Sequence, residues 1–144
     1  MKNKFDLIVF DWDGTLVDSV DWIVHCLSEA AVDQGCIKPK QQDVKDIIGL
    51  SIHKALDKLF PELDGASRQR VITRYSEIFF SRQITDDDLF AGVSDMLLRF
   101  KESGYQLAVA TGKSRHGLDK AMLGVGLNDF FNITRCADET ASKP

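Results

Sequence analysis

The order in which strand-like and helix-like segments follow one another limits the fold of this chain more than any other feature. Residues 5–10, FDLIVF, are mostly β-branched or aromatic and predict a buried strand. Residues 18–85 show only helical patterns, which begin with Val20, Ile23 and Leu27 at helical spacing. Helix and strand patterns alternate after that stretch. The sequence therefore predicts an α/β fold, a Rossmann-like doubly wound parallel sheet with an inserted all-helical cap domain.

Two later segments complete the predicted core. YQLAVA (residues 105–110) and NITRCAD (residues 132–138) have the composition of strands, and a helical pattern lies between them. We therefore assign residues 1–17 and 86–144 to the Rossmann-like core. Residues 18–85 form the helical cap domain that is inserted into it.

Composition and charge exclude several functional classes. The 144 residues are 44% hydrophobic, which suffices for one globular core with an inserted subdomain. A formal net charge of -4 leaves no basic field for a nucleic-acid partner. No apolar segment approaches the length of a membrane span, so we expect a soluble protein with no membrane partner. The cysteines at 26, 36 and 136 match neither a zinc site nor a disulfide framework and indicate reduced thiols in the cytoplasm.

The first predicted strand ends in two aspartates, Asp11 and Asp13, in the sequence DWDGT. Ligands of open α/β sheets bind beyond the carboxyl ends of the strands. Because both carboxylates are ionised at neutral pH, the pair needs either a bound cation or different chemical roles for its two members. Mg²⁺ is a cation that prefers such oxygen ligands. One carboxylate could then attack phosphorus while the other protonates the leaving oxygen. The alternative is an ordinary connection from strand to turn.

Small and hydroxylated residues follow both strands. We expect Gly14 and Thr15 to form a tight turn whose backbone N–H groups face an anion. In the second motif, TGKS, the Thr111 hydroxyl and the Gly112 amide would donate to a phosphate, and Lys113 would add positive charge. The alternative for TGKS is a common strand-to-helix turn that ends in a serine cap.

DWDGTLVDS, ATGKS and the closing ADETASKP together resemble the haloacid dehalogenase superfamily, specifically its phosphoglycolate-phosphatase-like members with a helical cap. LFAGVSDML resembles the family's return from cap to core, with Ala91 where proline is usual. The resemblance covers essentially the whole chain. It implies a Mg²⁺-dependent phosphatase that hydrolyses a small phosphorylated metabolite through an aspartyl-phosphate intermediate.

The resemblance also implies a role for each matching residue. Asp11 is the nucleophile, and Asp13 is the general acid and then the general base. The Asp11 carboxylate and the Asp13 backbone carbonyl hold Mg²⁺. Thr111 binds the transferring phosphoryl group, and Lys143 neutralises the charge of nucleophile and phosphate. In the cap, which closes over the site, we expect Ser51 to contact the substrate.

Two alternative functions stay open at this point. A sugar-phosphate mutase of the same fold keeps both aspartates, whereas Asp13 disfavours dehalogenation because a halide leaving group needs no acid. The other alternative is a non-catalytic phosphate-binding or interaction module. It is favoured by the lack of the family's fourth motif, a Gly-Asp followed by an acidic residue, before the chain stops at Pro144.

That stop leads to three further expectations. We expect a truncated chain with an incomplete metal site. We also expect FDLIVF to be a hydrophobic sheet edge through which this chain dimerises or aggregates. Asp138 and Glu139 precede Lys143, so they are out of order for the fourth motif, and we interpret them as a solvated pair at a strand end.

Overall fold

The computed structural model describes residues 6–139. In this range the chain forms three β-strands and six α-helices, and two 3-10 turns cover Asp86–Asp88 and Ala137–Glu139. None of these helices is both long and apolar enough to cross a membrane. The elements are, in chain order, β1 (Leu7–Phe10), α1 (Val20–Asp33), α2 (Gln41–Asp46), α3 (Ile52–Leu59), α4 (Gly65–Phe79), α5 (Val93–Glu102), β2 (Gln106–Ala110), α6 (Arg115–Val125) and β3 (Ile133–Arg135).

The three strands form one parallel sheet in the order β1-β2-β3. This confirms the predicted α/β class with a Rossmann-like parallel sheet. The last strand is shorter than the segment predicted for it, since β3 ends at Arg135 and a 3-10 turn follows. The Glu139 side chain accepts a hydrogen bond from the Cys136 N–H at 2.9 Å, which closes the chain into that turn.

The chain divides into two compact units. The core unit consists of residues 6–18 and 84–139 in the described range, and the helical unit consists of residues 19–83. The core unit contains the whole sheet with α5 and α6, and the helical unit contains α1 to α4.

The hydrophobic core of the core unit lies on one face of the sheet. Leu107 and Val109 of β2 are fully buried there, together with Leu97 of α5 and Leu118 of α6. The side chains of β1 alternate, because successive residues of a strand point to opposite faces. Its second and fourth residues join this core, whereas its first and third are exposed.

The helical unit has a separate core in which α1 packs against α4. Val24, Leu27 and Ala31 recur at helical spacing on α1, so they lie on one buried face. The α4 helix begins where the Asp64 carboxylate accepts a hydrogen bond from the Ser67 N–H at 2.7 Å.

Candidate active site

The candidate site lies at the carboxyl edge of the sheet in the core unit. β1 and β2 are neighbouring parallel strands, with Phe10 paired to Val109. Asp11 and Thr111 directly follow these two strands, so both leave the sheet at the same edge. The sheet thereby brings together two motifs that are far apart in the sequence.

The turn after β1 is closed by its own backbone. The Trp12 carbonyl accepts hydrogen bonds from the N–H groups of the third, fourth and fifth residues after it, at 3.0 to 3.2 Å. Gly14 adopts a φ of 76° and donates its N–H to the Val17 carbonyl at 2.9 Å. The amides of Gly14 and Thr15 therefore differ from our expectation, because they close the turn instead of facing an anion.

The Trp12 side chain is buried and packs edge-on against Phe131, as a residue used for packing does.

The two aspartates have different surroundings. Asp11 is exposed, and one of its carboxylate oxygens accepts a hydrogen bond from the Trp12 N–H at 2.7 Å. This bond fixes the side chain at the strand end and leaves the second oxygen without a hydrogen-bond partner among residues 6–139. The Asp13 side chain is only 13% exposed and lies 3.3 Å from the Lys113 ammonium. The exposed carboxylate suits a nucleophile, and the paired one suits a group whose position is held.

The loop after β2 offers two hydrogen-bond donors. The Thr111 hydroxyl oxygen accepts a bond from the Lys113 N–H at 3.1 Å, which leaves its proton for another acceptor. Within residues 6–139 the Gly112 N–H has no acceptor. The Thr111 N–H donates to the Arg135 carbonyl at 3.1 Å and so ties this loop to the end of β3. Both donors are compatible with the predicted binding of a phosphate by Thr111 and Gly112, which stays a prediction.

Lys113 forms an ion pair that the sequence pattern does not predict. We expected it to add positive charge for a phosphate, but its ammonium already forms an ion pair with Asp13. Its side chain is 12% exposed, so the pair is shielded from solvent on both sides. The pair joins the turn after β1 to the loop after β2.

Two further residues belong to the predicted site, Ser51 and Lys143. Ser51 belongs to the helical unit, where its hydroxyl accepts a hydrogen bond from the Lys54 N–H at 3.3 Å and caps α3. Its predicted contact with the substrate stays a prediction. Lys143 lies outside the described residues.

Sequence reasoning missed a cluster of charges beside the candidate site. Asp138 and Glu139 are exposed, as the interpretation as a solvated pair expects, but both are also bonded: Glu139 binds the Arg115 guanidinium at 2.7 Å, and Asp138 accepts a hydrogen bond from the Arg115 N–H at 3.0 Å. The available signal was the opposite charge of two segments that follow neighbouring strands, Arg115 after the Ser114 cap and the acidic pair after β3.

The oxygen ligands at the carboxyl edge of the sheet are of the type that Mg²⁺ prefers, although the described residues offer few of them. The exposed Asp11 carboxylate is a hard oxygen ligand of the type that Mg²⁺ prefers, and the turn adds the backbone carbonyl of Asp13. Residues 6–139 contain no group of three or more His, Cys, Asp or Glu side chains that could hold a metal ion. Since Mg²⁺ usually keeps several waters and substrate oxygens as ligands, these two donors fit part of its coordination shell.

Comparison with known proteins identifies the family. The family model of haloacid dehalogenase-like hydrolases matches residues 8–144. Tyrosine-protein kinase PtkA of Mycobacterium tuberculosis is 28% identical over 137 residues, which are 95% of this chain and 46% of that protein. The protein of Dickeya dadantii named "Probable phosphatase IndB" is 30% identical over 138 residues, which are 94% of this chain and 60% of that protein. The chain therefore spans about half to three fifths of these relatives.

A solved structure has the same fold. The crystal structure of beta-phosphoglucomutase from Clostridium difficile superimposes with a TM-score of 0.84 at 17% identity and covers 96% of this chain and 65% of that one. The family match extends from β1 to the end of the sequence and includes both motifs at the carboxyl edge of the sheet. This chain belongs to the haloacid dehalogenase-like hydrolase family.

Proposed function

We propose that this chain contains the active site of a Mg²⁺-dependent phosphatase that hydrolyses a small phosphomonoester through an aspartyl-phosphate on Asp11. The observation that supports this most directly is the ion pair between Asp13 and Lys113. This pair joins the turn that contains both aspartates to the loop whose Thr111 and Gly112 would donate hydrogen bonds to a phosphate. The residues proposed as nucleophile, proton carrier and anion site therefore lie at one edge of the sheet.

In the first step the Asp11 carboxylate attacks the phosphorus atom of the ester. A bond forms between the carboxylate oxygen and phosphorus, and the bond from phosphorus to the ester oxygen breaks. Asp13 first takes up a proton from the solvent, and the leaving alkoxide then takes that proton from the Asp13 carboxyl group. Thr111 and Gly112 donate to the oxygens of the phosphoryl group and stabilise the charge that develops on them.

In the second step water hydrolyses the acyl phosphate. Asp13, now ionised, takes a proton from the attacking water, and the bond from phosphorus to the Asp11 oxygen breaks. The products are inorganic phosphate and the Asp11 carboxylate, so the cycle is balanced. We assign Lys143 to neutralising the charge of the nucleophile and phosphate, on the basis of its place in the sequence pattern.

Mg²⁺ would be held by the Asp11 carboxylate and the Asp13 backbone carbonyl. When bound, it would neutralise the charge of the phosphate and so let an anionic nucleophile approach. The residues of this chain fix the nucleophile, hold the proton carrier and donate to the phosphoryl oxygens.

The relatives support phosphoryl transfer as the reaction class. One is named a phosphatase and another a tyrosine kinase, and both names describe movement of a phosphoryl group. The substrate that we propose is a small phosphorylated metabolite such as phosphoglycolate. A sugar-phosphate mutase is the second candidate, because the fold also occurs in a beta-phosphoglucomutase. Its mark would be an isomerised product without released phosphate.

The test is phosphate release from a panel of small phosphomonoesters, including phosphoglycolate and p-nitrophenyl phosphate. We expect release with Mg²⁺, none with EDTA, and none from Asp11→Asn, which should fold like the wild type. Release that persists in EDTA would contradict the metal requirement. Isomerised sugar phosphate without release would select the mutase, and neither product would support a binding module.

We also propose that this chain dimerises through the edge of β1. Within residues 6–139, β1 pairs with β2 on one side only, and Leu7 and Val9 are 43% and 56% exposed. An exposed apolar edge favours pairing with another chain. Sedimentation should show a dimer that Val9→Lys converts to a monomer, and a wild-type monomer at high concentration would contradict the proposal.

The cytoplasmic location that we propose is supported by three thiols that form no disulfide.

A further inference from the structure

A cleft of the helical unit lies between α1 and the segment that leads into α2. Its volume is about 260 Å³, and the residues that line it fall within the ranges 21–29 and 38–41. At about 30 Å³ for each water, this volume would hold about nine waters. The cleft therefore has the size of a small metabolite, and its lining belongs wholly to the helical unit.

Ser28 lines this cleft although it is almost wholly buried. Its exposed fraction is 5%, and within residues 6–139 its hydroxyl has no hydrogen-bond partner. A serine inside a helix can donate to the carbonyl four residues before it, but Ser28 does not form that bond with Val24. A buried polar group without a partner lowers stability, and a ligand in the cleft would supply the missing bond. Ser28 is therefore the residue that points to a ligand.

Two carboxylates line the same cleft. Asp21 and Glu29 are exposed, and neither forms a hydrogen bond or an ion pair with another residue in the range 6–139. They are eight positions apart on α1, which separates their backbones by about 12 Å along the helix. Ser28 lies on the same side of α1 as Asp21, because seven residues make about two turns. The cleft thus has an anionic group toward each end and a buried hydroxyl beside one of them.

The rest of the lining offers apolar surface and few hydrogen-bond donors. Val24 is buried, and Pro39 has no backbone N–H. Lys38 is the one lysine or arginine among the described residues that line the cleft. Since the two carboxylates outnumber it, the charge of the lining favours a cationic ligand.

We propose that this cleft is a binding site for an aliphatic diamine. One ammonium group pairs with Asp21 and the other with Glu29, where the Ser28 hydroxyl accepts a further hydrogen bond. The alkyl chain between them lies against Val24 and Pro39. A metal ion suits the cleft less well, because residues 6–139 contain no group of three or more His, Cys, Asp or Glu side chains that could hold one. This site is independent of the proposed phosphatase function.

An NMR titration of the isotopically labelled chain tests the proposal and locates the ligand. The probes are putrescine, cadaverine, butylamine and γ-aminobutyrate in a buffer of low ionic strength. We expect a diamine to shift the amide signals of residues 21–29 and 38–41 with a Kd of roughly 1 mM or lower. Butylamine has one ammonium group and should bind about fivefold more weakly. Added salt should weaken the binding of the diamine, because it screens exposed charges.

Variants of the charged residues test the assigned contacts. Asp21→Asn and Glu29→Gln should each raise the Kd of the diamine by about two- to fivefold, the range for one exposed ion pair. Lys38→Gln should lower that Kd, because it removes a positive charge that repels the ligand. Glu62→Gln is the matched control, since Glu62 is an exposed carboxylate of the helical unit outside the cleft. It should leave the Kd unchanged.

Ser28→Ala separates a role in binding from a role in folding. It should raise the Kd of the diamine by about two- to tenfold, because the ligand loses a hydrogen bond. The urea midpoint should stay the same or rise, since the protein loses no internal bond and alanine is the better helix former. A lower urea midpoint with an unchanged Kd would overturn the proposal, because the hydroxyl would then serve the fold.

Three further results would overturn the proposal. The first is the absence of shifts in the cleft with either diamine at about 10 mM. The second is tighter binding of γ-aminobutyrate that Lys38→Gln weakens, because the cleft would then recognise a zwitterion. The third is an equal effect of Glu62→Gln and Glu29→Gln, which would show unspecific attraction to surface charge. None of these results depends on phosphate release, so a failure of the proposed function would leave this inference standing.

Discussion

The Lys113 ammonium lies 3.3 Å from the Asp13 carboxylate, and neither side chain is more than 13% exposed. This pair connects the turn after β1 with the loop after β2. A cation held this close fixes the direction of the carboxylate that we propose as acid and base. The ion pair therefore has two roles in our account: it connects two segments of the fold, and it orients the group that transfers the proton in the proposed reaction.

Lys113→Met should lower kcat by roughly tenfold or more, because a general acid or base contributes about 10²- to 10⁴-fold only when it is well placed. It should also lower the free energy of unfolding by about 1–3 kcal/mol, since Asp13 loses a charged partner. Steady-state kinetics and urea unfolding measure the two effects. Lys101→Met removes a lysine that is bonded to the Phe130 carbonyl and should leave kcat unchanged. A rise in KM without a fall in kcat would indicate that Lys113 acts on the substrate's charge instead.

Ser51 allows its capping role to be separated from its predicted contact with the substrate. Ser51→Ala should lower the free energy of unfolding by about 1 kcal/mol because α3 loses its cap, whereas Ser51→Asn should retain most of that stability. Both variants lose the hydroxyl, so both should raise KM. Urea unfolding tests the capping role, and the KM for the best substrate of the panel tests the contact with the substrate. If Ser51→Asn matches the wild type in both, Ser51 is a cap and no more.

Gly124 lies very close to the backbone of another segment of the core unit. A Cβ atom at this position of α6 would lie 2.4 Å from the Ile84 carbonyl oxygen, which is backbone and has little room to move. Gly124→Ala should therefore lower the free energy of unfolding by about 1–3 kcal/mol, although alanine is the better helix former. Gly117→Ala on the same helix is the control, because its Cβ would meet side-chain atoms instead of backbone: the Ser114 hydroxyl at 3.2 Å and the Lys113 Cε at 3.8 Å. Equal stability of the two variants in urea would contradict the close approach.

The stability of the core unit should depend on pH through Glu139. Hydrogen bonds from Arg115 and then from the Cys136 N–H lower its pKa below the ordinary value of 4.5. A carboxyl group with a lowered pKa in the folded state stabilises the protein above its unfolded pKa, and this contribution disappears as the pH falls through the folded pKa. The wild type should therefore be more stable than Glu139→Gln at pH 7, and the difference should shrink at pH values below 4.5. A difference in unfolding free energy that stays constant down to pH 3 would contradict this account.

Most of the strands and helices among residues 6–139 can be predicted from the sequence, because their signals are local. Apolar β-branched runs mark β1 and β2, and serine caps mark the starts of α3 and α6. The family motifs add the candidate residues at the carboxyl edge. β3 is shorter than predicted because the chain after Arg135 is turned by a hydrogen bond from Cys136 to Glu139.

Contacts between distant segments could not be predicted in this way. The pair of Asp13 and Lys113 depends on the pairing of β1 with β2, and that of Arg115 and Glu139 on the end of β3. A charged residue beside a motif is equally consistent with a solvated surface until the register of the strands is known. The amides of Gly14 and Thr15 are a different case: they bond to the Val17 and Trp12 carbonyls of the same turn, and the motif alone does not show whether turn amides point inward or toward a ligand.

The central claim is that Asp11 accepts the phosphoryl group, and rapid-quench mass spectrometry tests it most directly. The wild-type chain is mixed with Mg²⁺ and p-nitrophenyl phosphate, quenched in acid during turnover and digested. Our account predicts one added phosphoryl group on the peptide that contains Asp11, and none in the Asp11→Asn variant, which should also release no phosphate. Turnover by Asp11→Asn, or a phosphoryl group on a different residue, would contradict it.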